Sequence, residues 1–368
     1  MRVWLTLRCG TSYNPSMKPL RPLLVLSMWF AFGWMATCAQ QSAAQPSSPS
    51  TSAPQEGQVP PPKGEASKIV STTGLVRLVA TVTDRRHNLI TDLDKKDFAI
   101  KEDGAPQDIQ RFFRETDLPL RIGLLLDTSN SIRQRLEFEQ DAASDFLSSV
   151  IRRNKDMAFL MTFDNEPDVI QDYTGDLALL MSAIRKQRAG GGTALNDAIF
   201  MASQKLMNAP LPRSGDSEVR RVLVVISDGG DNLSDHALSE AIDAAIRAEA
   251  SIYTVSTNTD WVALDTDSAQ PQKYHLTDGD KILQKFSDET GGRVFFPYKV
   301  EDLAESFLDI GNELRSQYFI AYSPANPLAN GNGEFRKIEV AVDRKGLAVR
   351  TRKGYYAVAP GSSPPPGK

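Results

Sequence analysis

The sequence predicts an α/β fold, a doubly wound and mainly parallel sheet with a small flanking β-sandwich-like domain. Three observations carry this. From residue 121 to residue 316, short continuous apolar runs alternate with stretches of helical period, the pattern of βαβ units around a sheet covered on both faces. Segments of strand character lie on either side, at 76–113 and 317–352, and each set is too small to be stable alone. The 368 residues, 41% hydrophobic and 24% charged, have the balance of a folded chain of about two domains.

RIGLLLD, from Arg121, is the first buried strand. A helix follows over 131–153, with Ile132, Leu136, Phe138, Ala142, Phe146 and Val150 near helical spacing. MAFLMTF from Met157 is the second strand, and VIQDY from Val169 its antiparallel partner. Helices are expected over 176–186 and 194–208, then the apolar strand RVLVVISD from Arg221. The next helix, 235–250, turns Ala241, Ile242, Ala245 and Ile246 inward and leads to the strand SIYTVST. Two further helices, 280–290 and 300–316, close the core, the former ended by Gly291 and Gly292. In the flanks, 76–83, 97–102 and 107–113 read as strands, with a turn at Glu102-Asp103-Gly104. Strands at 317–322, 335–342 and 347–352 supply the rest, with turns at Asn332-Gly333 and Lys345-Gly346. The organisation expected is therefore a core at 118–316 inserted into one domain made of 67–117 and 317–359.

The ends of the chain set the compartment. Lys18 and Arg21 precede the apolar run PLLVLSMWFAFGWMATCA, so residues 1–39 read as a signal peptide or an uncleaved anchor. Small residues at Ala36, Thr37 and Ala39 favour processing, and Met17 is an alternative start. Cys38 resembles a bacterial lipoprotein cysteine, although Met35 and Thr37 fit that pattern poorly. The location expected is extracytoplasmic: secreted, periplasmic or in the cell envelope, with membrane attachment only through the leader or a lipid anchor. Cys9 and Cys38 are the only cysteines, so no disulfide staples the folded part. Residues 40–66, rich in Pro, Ser and Gln, read as a disordered linker, and 360–368 as a tail of the same kind.

Hard oxygen donors gather at the strand ends. Asp127-Thr128-Ser129-Asn130-Ser131 offers one carboxylate and two hydroxyls at alternate positions as a strand turns into a helix. In AGGGTALND, three glycines let the backbone bend and bring the Thr193 hydroxyl close. Asp228 ends RVLVVISD and is followed by Gly229 and Gly230. An open α/β sheet binds its ligand at this carboxyl edge. Hydroxyls with few carboxylates suit a hard cation, Mg²⁺ or Mn²⁺ or Ca²⁺, and not zinc, which prefers His and Cys. The competing reading of such a Ser-rich turn is a helix cap.

DTSNS, GGT and ISDG, in this order and each at a strand end, resemble the metal ion-dependent adhesion site of von Willebrand factor type A domains. The resemblance spans residues 120–316 and implies a Rossmann-like type A fold. It also implies Ser129, Ser131 and Thr193 as direct metal ligands, with Asp127 and Asp228 acting through bound water. Asn130 departs from the glycine usual within this motif, and Asn tolerates left-handed angles better than most residues. Residues 82–113 and the segment KIEVAVDRKGLAVRTRKGYYA resemble the flanks of bacterial secreted proteins with a VWFA-related domain.

Other chemistries lack their parts. A net charge of −4 argues against a nucleic-acid binder. There is no HExxH, GxSxG or GxxxxGK[ST], and His87, His236 and His275 show no ligand spacing. Asp127 is not placed as a phosphatase nucleophile, because Ser129 stands where that pattern has its second Asp. The chain is therefore read as no enzyme. Asp231, Asp235 and His236 read either as an outer shell or as a solvated loop and helix N-cap, and the polar excursion from Trp261 to Tyr274 as a rim of the site or plain solvent-exposed loop. The function expected is a protein-binding module that captures an Asp or Glu of a protein partner through the metal. The alternative is a structural or assembly protein of the envelope whose metal only stabilises.

Overall fold

A buried central strand organises the molecule. In the computed structural model, which describes residues 74–114, 118–212, 218–258, 276–297, 300–325 and 332–358, β5 (Leu120–Asp127) is buried along its whole length. Both faces of β5 must be covered, which its near-continuous apolar sequence allows. It pairs in parallel with β6 (Met157–Phe163) on one side and β8 (Arg220–Ser227) on the other. β9 (Ala250–Ser256) and the two-residue β10 (Val294–Phe295) extend the sheet beyond β8, and β7 (Pro167–Thr174) closes the other edge antiparallel to β6. The order is β10-β9-β8-β5-β6-β7. Gly123 sits where a Cβ would stand 2.5 Å from Phe159 and 2.6 Å from Leu223, so the neighbouring strands' side chains fill its place.

Helices cover the two faces separately. One core packs α1 (Leu136–Val150), α2 (Leu177–Arg185) and α6 (Val300–Arg315) against Ile122, Leu124 and Leu126. The other packs α3 (Leu195–Met207), α4 (Leu238–Arg247) and α5 (Asp278–Thr290) against Leu125, Leu223 and Val225. Chain direction diverges between β5 and β8, and the crevice above such a point is where an open α/β sheet places its site.

The flanks interleave. β1 (Val76–Thr83) pairs with β11 (Tyr318–Tyr322) and with β13 (Ala348–Arg350), and β11 also pairs with β4 (Ile109–Phe113). A second sheet runs β14-β12-β2-β3, from β14 (Gly354–Val358), β12 (Asn332–Val342), β2 (Phe98–Glu102) and β3 (Ala105–Gln107). Leu78 and Ile320 of the first sheet share a core with Ile100, Ile338 and Tyr355 of the second. Phe98 packs on Tyr318 with ring centroids 5.0 Å apart.

A buried polar junction ties this sandwich to the core. Glu313 of α6 accepts hydrogen bonds from Thr81 at 3.1 Å, Tyr253 at 2.8 Å and Arg350 at 2.5 Å, joining β1, β9 and β13. Arg247 of α4 lies 3.8 Å above the Tyr356 ring of β14.

Several expected boundaries move, each for a local reason. The helix placed at 131–153 begins at Leu136, after a 3-10 turn at Asn130–Ile132, and the Asn130 N–H ties that turn to the Gly191 carbonyl. The helix placed at 235–250 begins at Leu238, and the N–H groups of Asp235 and His236 before it go to the Asp197 carboxylate, which anchors this loop to α3. The strand placed at 107–113 divides at Asp108, where the chain leaves one sheet for the other. Asn332-Gly333 is not a turn but a bulge in β12, with Gly333 at φ +76. β10 and β14 were not foreseen. The leader, the linker, the tail and the 261–274 loop with His275 lie outside the described residues.

Candidate metal centre

The site is built from three backbone devices at the β5–β8 edge. After Asp127 the chain is held by Thr128, whose N–H donates to the Phe163 carbonyl at 3.0 Å and whose carbonyl accepts from Gly190 N–H at 2.8 Å. The glycine loop is thereby pinned beside the β5 end. Gly191 has a left-handed φ of +79, which glycine adopts without strain. A Cβ on Gly192 would come within 2.5 Å of Leu233, so the loop after β8 lies directly against it. That loop is fastened by Asn232, whose Oδ1 accepts from Thr193 N–H at 2.9 Å while its own N–H donates to the Thr193 carbonyl at 3.0 Å.

On this frame the side chains fall as follows. Asp127 is fully buried. Its Oδ1 accepts from Ser129 N–H at 2.8 Å and its Oδ2 from the Ser227 hydroxyl at 2.7 Å. Burial pushes its carboxyl up to about 6 against these hydrogen bonds, and the Asp228 charge adds to the rise. Ser129 is buried and Ser131 exposed, with their hydroxyl oxygens 2.9 Å apart. Thr193 is buried, and Asp228 is half-buried with Oδ1 accepting from Gly230 N–H at 2.9 Å.

The sequence of the von Willebrand factor type A domain family matches residues 122–230, a span that holds all five of these residues. The chain carries a von Willebrand factor type A domain. The type A fold here is similar to that of a conserved hypothetical protein, BatB, from Bacteroides thetaiotaomicron, at 19% identity over 54% of this chain and 100% of that one, with a TM-score of 0.40. An aerotolerance-related membrane protein from Bacteroides fragilis is similar at 18% identity over 53% and 99%, TM-score 0.41. A von Willebrand factor type A structure from Catenulispora acidiphila is similar at 13% identity over 78% and 74%, TM-score 0.44. No curated protein matches the chain.

Residues near the type A site take roles that the sequence leaves open. Asp231 ties the loop to α3, accepting from Asn196 N–H at 2.8 Å. His236 Nδ1 stands 2.7 Å from Asp197, and its ring stacks on Phe200 at 3.8 Å. The N-cap of α4 is Ala237. Among the described residues, no three His, Cys, Asp or Glu side chains come together as a metal cage.

Sequence reasoning missed two residues here. Ser227, the partner of Asp127, is visible only as a small polar residue inside an apolar strand. Glu139 on α1 is 1% exposed, and burial pushes its carboxyl up to about 8, with the Asp127 and Asp228 charges adding and Arg135 opposing. Its signal was spacing: it lies three residues after Leu136 and four before Ala143, on the stripe that faces the sheet.

Proposed function

We propose that the type A domain is an extracytoplasmic protein-binding module that captures a partner's Asp or Glu carboxylate through one divalent cation, Mg²⁺ or a similar hard ion. The observation that supports this reading is that the three loops carrying Asp127, Ser129 and Ser131, then Thr193, then Asp228, are hydrogen-bonded to one another at one edge of the sheet. Two hydroxyl oxygens 2.9 Å apart suit adjacent corners of an octahedral shell with bonds of about 2.1 Å, whose edge is about 3.0 Å. Ser129, Ser131 and Thr193 would hold the ion directly, and Asp127 and Asp228 through water. When bound, the ion supplies a positive charge with an open position for an incoming carboxylate.

The chain's own residues prepare that charge. Ser227 and Ser129 N–H fix the Asp127 carboxylate, so its orientation costs nothing at the moment of binding. Neutral hydroxyls leave the ion more positive than a shell of acids would. In this reading no bond is made or broken, and the protein is not an enzyme.

A pull-down from envelope extract, with and without EDTA, tests the reading by comparing the native chain with Asp127→Ala. Capture should require the ion and Asp127 together. Capture that survives both EDTA and Asp127→Ala would overturn it, and a metal that raises the melting temperature without any capture would leave the stabilising role in its place.

A further inference from the structure

Buried carboxylates in this protein are engaged wherever they occur among the described residues, with one exception. Glu102 accepts from the Tyr322 hydroxyl at 2.7 Å, Asp156 from Leu120 N–H at 2.8 Å, Asp280 from Ser256 at 2.6 Å and Glu313 from Tyr253 at 2.8 Å. Glu139 is as deeply buried as these, and neither of its oxygens has a hydrogen-bond partner. The next residue, Gln140, shows that the helix can satisfy a buried polar group, since it donates to the Gln187 carbonyl at 3.1 Å.

A carboxyl held out of water without a partner is costly in either protonation state, and the sequence could remove it with a single apolar substitution. Its position makes the cost greater. Glu139 lies in the first turn of α1, the helix that follows directly from the Ser129–Ser131 loop, and two of the charges acting on it, those of Asp127 and Asp228, are also negative. A purely structural role does not account for a buried carboxyl that has no hydrogen-bond partner and feels the negative charges of Asp127 and Asp228. A divalent ion among them does.

We propose that Glu139 belongs to the cation site as an outer anion, linked to the ion through water and not as a ligand. Direct ligation is set aside because no three acidic or imidazole side chains among the described residues come close enough to share an ion. In this role Glu139 resembles the outer partners that tune other metal centres, strengthening the hold on a doubly charged ion over a singly charged one. The inference rests on the cation reading above and adds one residue to it.

Calorimetric titration with Mn²⁺ and with Mg²⁺, and thermal melts in EDTA, test it on the native protein, Glu139→Gln, Glu139→Met and Glu137→Gln. Glu137 is exposed on the same helix and controls for the loss of one charge. The expected result is Kd weakened about 10- to 100-fold in both Glu139 variants, and changed by less than about twofold in Glu137→Gln. In EDTA at or above about pH 8, where the native Glu139 ionises, both Glu139 variants should melt no lower than the native protein, because a buried unpaired charge has gone. Unchanged Kd in both, or melting temperatures that fall in both, would overturn the proposal and make Glu139 a structural residue. A native protein that takes up neither ion would overturn the cation reading itself, and this inference with it.

Discussion

Ser227 donates its hydroxyl to Asp127 Oδ2 at 2.7 Å across the β5–β8 pair, so the strand that carries the last carboxylate of the site orients the first. The same hydroxyl oxygen accepts from Gly229 N–H at 3.0 Å, where the loop after β8 begins. Ser227→Ala removes both contacts in a buried place. The expected loss is about 2 kcal/mol of stability, the usual worth of a hydrogen bond to a charged group, together with weaker ion uptake. Urea denaturation and calorimetry of the variant check this, and a variant as stable as the native protein would mean that Asp127 draws no support from Ser227.

Thr193→Ala and Asp228→Ala should abolish cation-dependent capture while changing stability by less than about 1 kcal/mol. The reason lies in the backbone. The glycine loop is fastened to the loop after β8 through the Thr193 N–H and carbonyl, which the alanine variant retains. Circular dichroism and melts should match the native protein, while titration with Mg²⁺ or Mn²⁺ should give no heat.

The metal-free protein should lose stability as pH rises. Asp127 is raised from 3.8 to about 6 and Glu139 from 4.5 to about 8, so the folded state binds more protons than the unfolded state across that range. Stability therefore falls with pH between about 4 and about 8. Buried Asp156 and half-buried Glu249 are held low despite desolvation, the former by hydrogen bonds from Arg152 and the latter by nearby arginines, and their contribution is lost only as pH falls below the ordinary carboxylate range. The two windows do not overlap. Saturating Mg²⁺ favours the ionised forms and should flatten or reverse the slope. Denaturant midpoints at about pH 5 and about pH 8, with EDTA and with Mg²⁺, measure it.

Glu313→Ala should destabilise by about 3–5 kcal/mol, since it strips the acceptor from Thr81, Tyr253 and the Arg350 guanidinium in a buried place. It should also uncouple the two parts of the fold. Calorimetric melting is expected to broaden or split in the variant, whereas a single sharp transition at unchanged temperature would show that the junction does not bind them.

What the sequence made legible was whatever depends on local pattern. Continuous apolar runs marked β5, β6 and β8 because a strand covered on both faces leaves little polar alternation to misread. The five candidate site residues are proposed because each stands at or just past a strand end or a glycine bend. Helix starts were less legible, since the segments before α1 and α4 are held in other conformations by distant groups, the Gly191 carbonyl and the Asp197 carboxylate. Glu139 was hidden for a related reason. A glutamate on a helix is ordinarily a solvated residue, and only the packing of α1 on the sheet puts this one in the dry.

The sandwich takes its strands from both sides of the type A domain, with β1 on β11 and β2 on β12. Tension applied between Val76 and Val358 is thus taken up inside the sandwich, across strands that must slide or peel before any strain reaches β5. A pull on Val76 and Val358 therefore meets the hydrogen bonds of β1 with β11 and β13, and of β14 with β12, first.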